Sequence, residues 1–384
     1  MASRSGSIEN PHRNDPIAES DATRNLAHYP EGSVGALVSW SVNPTPQLAE
    51  RLTAEPELAP ISLSPPDVDP PEQMEHETHL HAPRAGDTAS RIADYRELFK
   101  VRVTLMVVMT AWAGFYLGSM QSGISSVQPG LIEALFGIAL VSAGSAALNE
   151  CLERKLDAKM IRTSRRPMVT GRIGLAHGII AGLAAIAIGS IWLVHETNLI
   201  TGTLALITAF TYVAIYTPLK RHTTMATFIG AFPGAMPPLL GWTAARGRIE
   251  WPAVALFAIL FIWQFPHFMA IAWLYREDYG RAGIRMLPVV QPDGWSTVLE
   301  ALTYAVLMIP ASLLPVYLHV AGLYYGAAAA ILGIVYLGYT IRFARITRAR
   351  STIESKMYAR DLLKVSVIYL PLLLTALMLN AKGK

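Results

Sequence analysis

Residues 131–167 read LIEALFGIALVSAGSAALNECLERKLDAKMIRTSRRP, an apolar run that ends in acidic side chains and then in a dense basic cluster. The apolar part is long enough to cross about 30 Å of hydrocarbon as a helix that rises about 1.5 Å per residue. The polar part begins where such a helix would leave the membrane. The stretch therefore predicts a membrane-spanning helix that carries its polar chemistry at one end.

Apolar segments of about 20 residues alternate with short polar loops over the following part of the chain as well. Hydrophobic residues make up 52% of the sequence and charged residues 16%, a balance that excludes an ordinary soluble domain. We therefore predict an all-α polytopic membrane protein with about nine transmembrane helices. The predicted spans are residues 101–121, 131–152, 173–193, 198–217, 224–243, 252–275, 297–318, 322–343 and 362–380.

The first 95 residues have a different composition, with 15 Asp and Glu against 6 Lys and Arg, whereas the remaining residues have 13 against 26. They are rich in proline and show no sustained apolar period. We predict a disordered acidic tail over 1–95 and a membrane domain over 96–384. His76, His79 and His81 could bind a metal in this tail, but their spacing does not match a zincin helix. Cys151 is the single cysteine, which excludes an intramolecular disulfide.

The loops after spans two, four, six and eight are strongly basic, whereas the opposite loops contain only Arg246 and Arg248. Cytoplasmic loops of membrane proteins are enriched in Lys and Arg. We therefore expect the N-terminal tail and the basic loops to face the cytoplasm and the C-terminus to lie outside. The polar chemistry is then collected on one side of the membrane.

Asn149, Glu153 and Asp157 stand at i, i+4 and i+8, so a helix that continues past the apolar run places them on one face. Acidic residues are costly in lipid, but two carboxylates and an amide form a good partial shell for Mg²⁺, which keeps positions open for phosphate. Basic side chains that can donate to the remaining phosphate oxygens follow directly, namely Lys159, Arg162, Arg165 and Arg166. The stretch predicts a site for a metal-bound diphosphate.

A cytoplasmic loop that follows the positive-inside bias, with acids added for charge balance, would explain the same spacing. Two further polar loops favour the site, because they are expected at the same end of the bundle. The loop YTPLKRHTTMATF after span four contains Tyr216, Lys220 and Arg221. The loop WLYREDYGRAGIRMLP after span six contains Tyr275, Arg276, Glu277, Asp278 and Arg281. Together the loops predict two acidic poles around a basic centre.

Five motifs resemble, in order and at plausible separations, the protohaem IX farnesyltransferase (haem O synthase) branch of the UbiA-type intramembrane prenyltransferases. They are NECLERKLDAKMIRTSRRP, YTPLKR, GAMPPLLGW, WQFPHF and YREDYGRAG, and the resemblance covers about residues 95–380. The acidic motif alone indicates only the superfamily. The combination of WQFPHF and YREDYGRAG points to the haem branch.

The resemblance implies nine helices around a central cavity that opens toward the cytoplasm and laterally to lipid, in the inner membrane of the cell. It implies that farnesyl diphosphate ionises with the help of Mg²⁺, that a vinyl group of haem B captures the allylic carbocation, and that water completes the addition. The expected cofactor is Mg²⁺, and the expected partners are farnesyl diphosphate, haem B and the lipid bilayer. A haem A synthase is a candidate protein partner, and no nucleic acid is expected.

The implied chemistry also assigns roles to the polar residues. One metal is assigned to Asn149, Glu153 and Asp157, and the second acidic pole to Glu277 and Asp278. The residues assigned to diphosphate are Arg162, Arg166, Lys220 and Arg221, and further candidate substrate contacts are Lys159, Arg165, Tyr216, Tyr275 and Arg276. We expect the catalytic residues to be Asn149, Glu153, Asp157, Lys220 and Asp278.

Span six contains two polar residues within an apolar segment, Gln264 and His267. His267 is a candidate ligand of the haem iron, and the alternative is a histidine that is hydrogen-bonded between helices. Gln264 donates either to the substrate or to a neighbouring helix. In GAFPGAMPPLLGW the small residues are expected to allow close helix contact, and Pro237 and Pro238 are expected to break the helix.

Many bacterial relatives have Asp-Arg-Asp where this chain has Glu153, Arg154 and Lys155, which weakens a prediction of several metals at that pole.

Two other functions remain open at this point. A prenyltransferase acting on a quinone precursor usually has a second aspartate where this chain has Ala282. A transporter with a discontinuous helix is a rival from another class, but no convincing inverted repeat is visible and the polar groups collect at one face.

Overall fold

The computed structural model describes residues 85–123 and 130–383, and within them the chain is almost entirely helical. The main helices are α1 Ala85–Leu98, α2 Val101–Met120, α3 Leu131–Asp157, α4 Leu175–Glu196, α5 Leu199–Phe210, α6 Ala226–Arg246, α7 Trp251–Leu274, α8 Trp295–Tyr317, α9 Leu323–Phe343 and α10 Thr352–Leu379. The tail histidines His76, His79 and His81 lie outside the described residues. The predicted all-α architecture is confirmed.

Eight helices in the described part of the chain are long and apolar enough to cross a membrane, counting α5 together with its helical continuation to Leu219. They are α2, α3, α4, α5 and α7 to α10. Helix α6 has the 21 residues of a span and packs among them, but its three prolines and its glycines make it less apolar. Each of the nine predicted spans is thus a helix of the bundle. The chain is a multi-pass membrane protein.

Successive spans pack side by side in the bundle, and the longer connections, after α3 and after α7, contain short helices at Pro167–Thr170, Arg276–Ala282 and Leu287–Val290. Helix α3 packs mainly on α4, α2 on α6, and α7 on α8. A large apolar core is formed by residues of α2 and of α6 to α10, and it includes Trp242, Tyr336 and Phe343. The loops after α3, α5, α7 and α9 lie at one end of the bundle, and these are the basic loops of the sequence.

Helices α2 and α6 cross at very short range. A Cβ atom on Gly114 would overlap the backbone carbonyl of Pro238, and a Cβ atom on Gly241 would overlap the carbonyl of Ala111. The prediction that Pro237 and Pro238 break the helix is wrong, because α6 runs without interruption through both. Prolines are tolerated inside membrane helices when neighbouring groups satisfy the backbone that they leave unpaired.

Several helices differ from the predicted limits. Helix α3 continues to Asp157 instead of ending near residue 152, and α1 occupies residues that were assigned to the tail. Helix α10 begins ten residues earlier than predicted, with Ser351 as its N-cap. The Ser351 hydroxyl accepts from the Glu354 amide at 3.1 Å, and the Glu354 carboxylate accepts from the Arg350 amide at 2.9 Å.

Candidate active site

The last turns of α3 carry the predicted metal ligands into the interior of the protein. Asn149 is 1% exposed, Glu153 8% and Asp157 1%. All three lie on one uninterrupted helix, so the i, i+4, i+8 spacing places them along one face, as predicted. Buried carboxylates require partners, because an unpaired charge in a low-dielectric environment is strongly disfavoured.

Each of these three side chains accepts a short hydrogen bond from a different basic residue. The pairs are Lys100 Nζ with Asn149 Oδ1 at 2.8 Å, Lys220 Nζ with Glu153 Oε1 at 2.8 Å, and Arg166 Nη1 with Asp157 Oδ2 at 2.7 Å. The three basic residues come from separate segments, before α2, after α5 and after α3. Each of the three oxygen ligands is therefore paired with one cation, and the three pairs form one cluster.

The donor set of this cluster fits Mg²⁺ that is shared with a phosphate ligand. Within residues 85–123 and 130–383, no three His, Cys, Asp or Glu side chains converge to enclose a metal ion. Mg²⁺ is commonly held by one or two carboxylates together with substrate phosphates and water. Two carboxylates and one amide oxygen on α3 are therefore sufficient, provided that a diphosphate completes the shell.

A short π-helical segment, Thr211–Tyr216, continues α5 toward the cluster. Thr217 follows it, accepts from Asn149 Nδ2 at 3.0 Å and donates to the Tyr212 carbonyl at 2.9 Å. π-Helical turns occur frequently at functional sites. Because Thr217 holds the amide nitrogen of Asn149, the Oδ1 atom is the one that faces Lys100 and the cluster.

Lys220 lies over the ring of Tyr216, with Nζ 4.3 Å from the ring centroid. The ring itself packs on Gly230, where a Cβ atom would collide with it. Burial alone would lower the pKa of Lys220, but the Tyr216 hydroxyl and the Glu153 carboxylate outweigh burial, so the pKa is raised. Lys220 therefore carries a positive charge at neutral pH, inside the protein.

The other predicted phosphate contacts lie around this cluster at the same end of the bundle. The guanidinium of Arg162 stacks over Tyr275 at 4.9 Å, and that of Arg276 stacks over Trp273 at 4.5 Å. Exposed basic side chains at this end include Lys159, Arg165 and Arg221. The predicted residues of the three loops are thus gathered at one end of the bundle.

The two carboxylates of the second acidic pole point in different directions. Asp278 is 8% exposed and accepts from the backbone amide of Ile161 at 3.2 Å and from Arg281. Glu277 is half exposed and accepts from Lys356 of α10 at 2.9 Å, and this hydrogen bond lowers its pKa. Asp278 therefore faces the segment that follows α3, whereas Glu277 faces α10.

The polar residues of span six contact neighbouring helices. Gln264 Nε2 donates to the Ala231 carbonyl of α6 at 3.1 Å and lies against Gly234. His267 Nδ1 lies 2.8 Å from Ser366 Oγ of α10, and its ring stacks on Trp263. The interhelical hydrogen bond expected as the alternative for His267 is therefore present. A role of either residue toward a substrate stays a prediction.

The sequence interpretation missed three residues of the cluster, namely Lys100, Glu150 and Thr217. Lys100 stood in the sequence as an ordinary basic residue before an apolar span, and Thr217 carried no signal beyond its place in YTPLKR. Glu150 directly follows Asn149, and an acidic residue in the predicted span was a signal for it. Glu150 is fully buried, and among the described residues neither of its carboxylate oxygens has a hydrogen-bond partner.

A family model described as the UbiA prenyltransferase family matches residues 107–362. The chain belongs to the UbiA prenyltransferase family. A relative from Koribacter versatilis named protoheme IX farnesyltransferase is 52% identical over 301 residues, which cover 78% of this chain and 97% of the relative. Seven further relatives with that name share 36–40% identity. The resemblance to this prenyltransferase family is confirmed.

Solved structures share the fold of this chain at low sequence identity. A digeranylgeranylglyceryl phosphate synthase gives a TM-score of 0.62 at 19% identity and covers 76% of this chain and 98% of its own. A UbiA homologue from Archaeoglobus fulgidus, solved with DMAPP and Mg²⁺, gives a TM-score of 0.50 at 16% identity and covers 74% and 99%. The helical bundle described above is therefore a UbiA-type fold.

Proposed function

We propose that this UbiA-family protein transfers the farnesyl group of farnesyl diphosphate to a vinyl group of haem B, with addition of water, to give haem O and diphosphate. The observation that carries the proposal is the buried row of Asn149, Glu153 and Asp157, which meets three basic side chains at one end of the bundle. The relatives named protoheme IX farnesyltransferase support haem as the acceptor.

In the proposed reaction the bond between farnesyl C1 and a diphosphate oxygen breaks, and the electron pair leaves with the diphosphate. Negative charge grows on the leaving group, so preorganised cations near it lower the barrier. Lys220 and Arg166 are held at this place by Glu153 and Asp157 and can donate to phosphate oxygens. The haem vinyl group supplies the electrons of the new carbon–carbon bond, and water adds to the resulting cation and loses a proton.

We assign a divalent metal, Mg²⁺, to the oxygens of Asn149, Glu153 and Asp157. Bound there, it would neutralise charge on the diphosphate and assist its departure. At the second pole, the burial of Asp278 beside the segment after α3 favours this residue as the carboxylate that serves the site. The ion pair of Glu277 with Lys356 supports a role in holding α10 for Glu277.

His267 is proposed as a contact of the haem iron. The Ser366 hydroxyl donates to the Leu363 carbonyl at 2.7 Å, so its oxygen accepts from the Nδ1–H of His267. This arrangement selects the tautomer in which Nε2 has a free lone pair, as a metal ligand requires. The hydrogen bond to α10 would then orient the ring, as such bonds do for other iron-binding histidines.

The protein is proposed to lie in the inner, cytoplasmic membrane, with the basic end of the bundle and the N-terminal tail in the cytoplasm. The enrichment of that end in Lys and Arg supports this orientation. Diphosphate would then enter from the cytoplasm, and haem from the lipid or the cytoplasmic surface. A haem A synthase, which would consume haem O, is the proposed candidate for a protein partner.

Product analysis by mass spectrometry tests the proposed function directly. Membranes that contain the protein are supplied with haem B, farnesyl diphosphate and Mg²⁺, beside membranes with the Asp157→Asn variant. We expect haem O from the wild type and its loss in the variant. If 4-hydroxybenzoate is prenylated and haem stays unmodified, the acceptor is a quinone precursor and the haem proposal is wrong. If folded protein prenylates neither acceptor, the result contradicts transferase activity.

A further inference from the structure

Lys100 has an unusual backbone conformation at the junction of α1 and α2. Its φ of 43° and ψ of 52° lie in the left-handed region, which residues with a Cβ atom rarely adopt. The carbonyl of Lys100 accepts from the amides of Val103 at 2.8 Å and Thr104 at 3.0 Å, so α2 starts directly from this residue. Strained backbone conformations of this kind cluster at functional sites.

The side chain of Lys100 ends on an uncharged acceptor although carboxylates are close. Its Nζ atom donates to Asn149 Oδ1 at 2.8 Å, whereas Lys220 and Arg166 each donate to a carboxylate. A buried ammonium group is normally paired with an anion, because its desolvation is costly. Lys100 therefore has the weakest acceptor of the three cations, and it loses the least when it changes partner.

Glu150 is a second unusual residue beside Asn149. Its side chain is fully buried next to Asn149, and neither of its oxygens has a hydrogen-bond partner among the described residues. Buried polar atoms are almost always satisfied, so the Glu150 carboxylate leaves unused hydrogen-bonding capacity beside the cluster, which a bound ion, water or ligand would satisfy. Lys100 and Arg166 are both charge neighbours of Glu150.

We propose that Lys100 is a further diphosphate-binding residue that exchanges partners when substrate binds. Without substrate, it donates to Asn149 Oδ1 and occupies the oxygen that would ligate Mg²⁺. When that oxygen is given to Mg²⁺, the ammonium group of Lys100 turns to a phosphate oxygen. This inference rests on the proposed function only in requiring a diphosphate substrate, and it does not depend on haem as the acceptor.

The exchange makes the binding of metal and diphosphate interdependent. Mg²⁺ alone must displace a cation from each of three ligands, and the displaced cations then have no anion to bind. Diphosphate supplies that anion, so each ligand raises the affinity of the other by the same factor. Lys100 contributes to this coupling from the junction that precedes α2, a segment to which the acidic motif does not belong.

The test compares metal and pyrophosphate binding in purified protein in lipid nanodiscs. Free Mn²⁺, a spectroscopic stand-in for Mg²⁺, is counted by electron paramagnetic resonance with and without inorganic pyrophosphate. Pyrophosphate binding is measured by calorimetry at saturating Mg²⁺. The variants are Lys100→Gln, which keeps a donor for Asn149, Lys100→Arg, which restores the charge, and Arg102→Gln, an exposed basic control two residues further along.

We expect Lys100→Gln to weaken pyrophosphate binding about tenfold or more, because it removes a hydrogen bond from a charged group. Binding of Mn²⁺ alone should be unchanged or tighter in this variant, Lys100→Arg should regain most of the affinity for pyrophosphate, and Arg102→Gln should match the wild type. A purely structural role for Lys100 would instead weaken Mn²⁺ and pyrophosphate together, and that result would overturn the proposal.

The wild type provides a second measurement that does not depend on the folding of any variant. Pyrophosphate should tighten Mn²⁺ binding by about tenfold or more, within the usual range of coupling between sites. Independent binding of the two ligands, or equal pyrophosphate affinity in Lys100→Gln and wild type, would contradict the exchange. If Mn²⁺ and pyrophosphate bind interdependently but the protein does not farnesylate haem, the proposal of haem as acceptor is wrong and the inference about Lys100 is still supported.

Discussion

The Nζ atom of Lys220 lies 2.8 Å from Oε1 of Glu153, and both side chains are largely withdrawn from solvent. This ion pair joins the segment after α5 to the last turns of α3, which are 67 residues apart in sequence. It neutralises a carboxylate that the proposed reaction needs for Mg²⁺ and holds a cation that the reaction needs for diphosphate. Stability of the bundle end and preparation for catalysis therefore depend on the same pair.

Replacement of Lys220 by methionine should affect both properties. The variant leaves Glu153 buried without its cation, which costs about 3 kcal/mol for a buried pair, and it should lower the rate of prenyl transfer about a hundredfold. Thermal unfolding and product formation are measured in the same preparation. The double variant Lys220→Met with Glu153→Gln should recover stability without recovering activity, and recovery of both would contradict a role in diphosphate binding.

Asp157→Asn should reduce activity far more than stability. The substitution keeps the size of the side chain and an acceptor for Arg166, but it removes the charge that a metal ligand supplies. We expect prenyl transfer to fall by about a hundredfold or more, with a higher requirement for Mg²⁺. Asp361→Asn is the matched control, because Asp361 forms a partly exposed ion pair with Arg342 at 3.1 Å. Equal losses in the two variants would contradict the metal assignment.

The crossing of α2 and α6 predicts a large difference between two glycine substitutions. Gly241→Ala places a methyl group against the backbone carbonyl of Ala111, whereas Gly338 on α9 has no atom within 4 Å of an added Cβ. Gly241→Ala should destabilise the protein by about 1–3 kcal/mol or more, because backbone cannot move aside as a flexible side chain can. Gly338→Ala should be nearly neutral. Thermal unfolding in detergent compares them, and equal melting temperatures would contradict the close crossing.

Much of the fold could be predicted from the sequence because lipid imposes a simple rule. Every backbone polar group must be satisfied within a helix, so apolar segments of about 20 residues identify the spans. The sequence alone did not predict that α6 continues through Pro237 and Pro238, where it packs closely on α2, a helix that is distant in sequence. Local propensity gave the wrong result where tertiary packing decides.

The candidate site was predictable only where its residues share one helix. The spacing of Asn149, Glu153 and Asp157 shows directly that they lie together, since α3 is regular. Lys100 reaches this row from the junction between α1 and α2, and nothing in the neighbouring sequence indicates the 2.8 Å contact with Asn149. The different directions of Glu277 and Asp278 were equally hidden in the sequence. Adjacent residues on a helix point about 100° apart, and the neighbouring segments decide which partner each side chain contacts.

At the other end of the bundle, Glu250 predicts a dependence of stability on pH. Hydrogen bonds from Arg246, Trp242 and Arg248 lower the pKa of Glu250 from 4.5 to about 2. A carboxylate with a lowered pKa in the folded state contributes stability above its unfolded pKa and loses it as the pH falls toward its folded value. Glu250→Gln should therefore melt below the wild type at pH 7, and the difference should shrink between pH 4.5 and pH 2. A difference that stays constant over this range would contradict the effect.

The distribution of basic residues predicts where the two ends of the chain lie. In the described part of the chain, the predicted spans are the nine helices α2 to α10, and nine crossings would place the termini on opposite sides. The loops after α3, α5, α7 and α9 carry nearly all the basic charge of the connections. Green fluorescent protein matures in the bacterial cytoplasm but not after export through the general secretory route. A fusion before Met1 should therefore fluoresce, and a fusion after Lys384 should remain dark at equal expression. Fluorescence of the C-terminal fusion alone would contradict the proposed orientation and place the C-terminus in the cytoplasm. Fluorescence of both fusions would require an even number of spans, and α6, the least apolar of the nine helices, would then be the first candidate for a helix that does not cross.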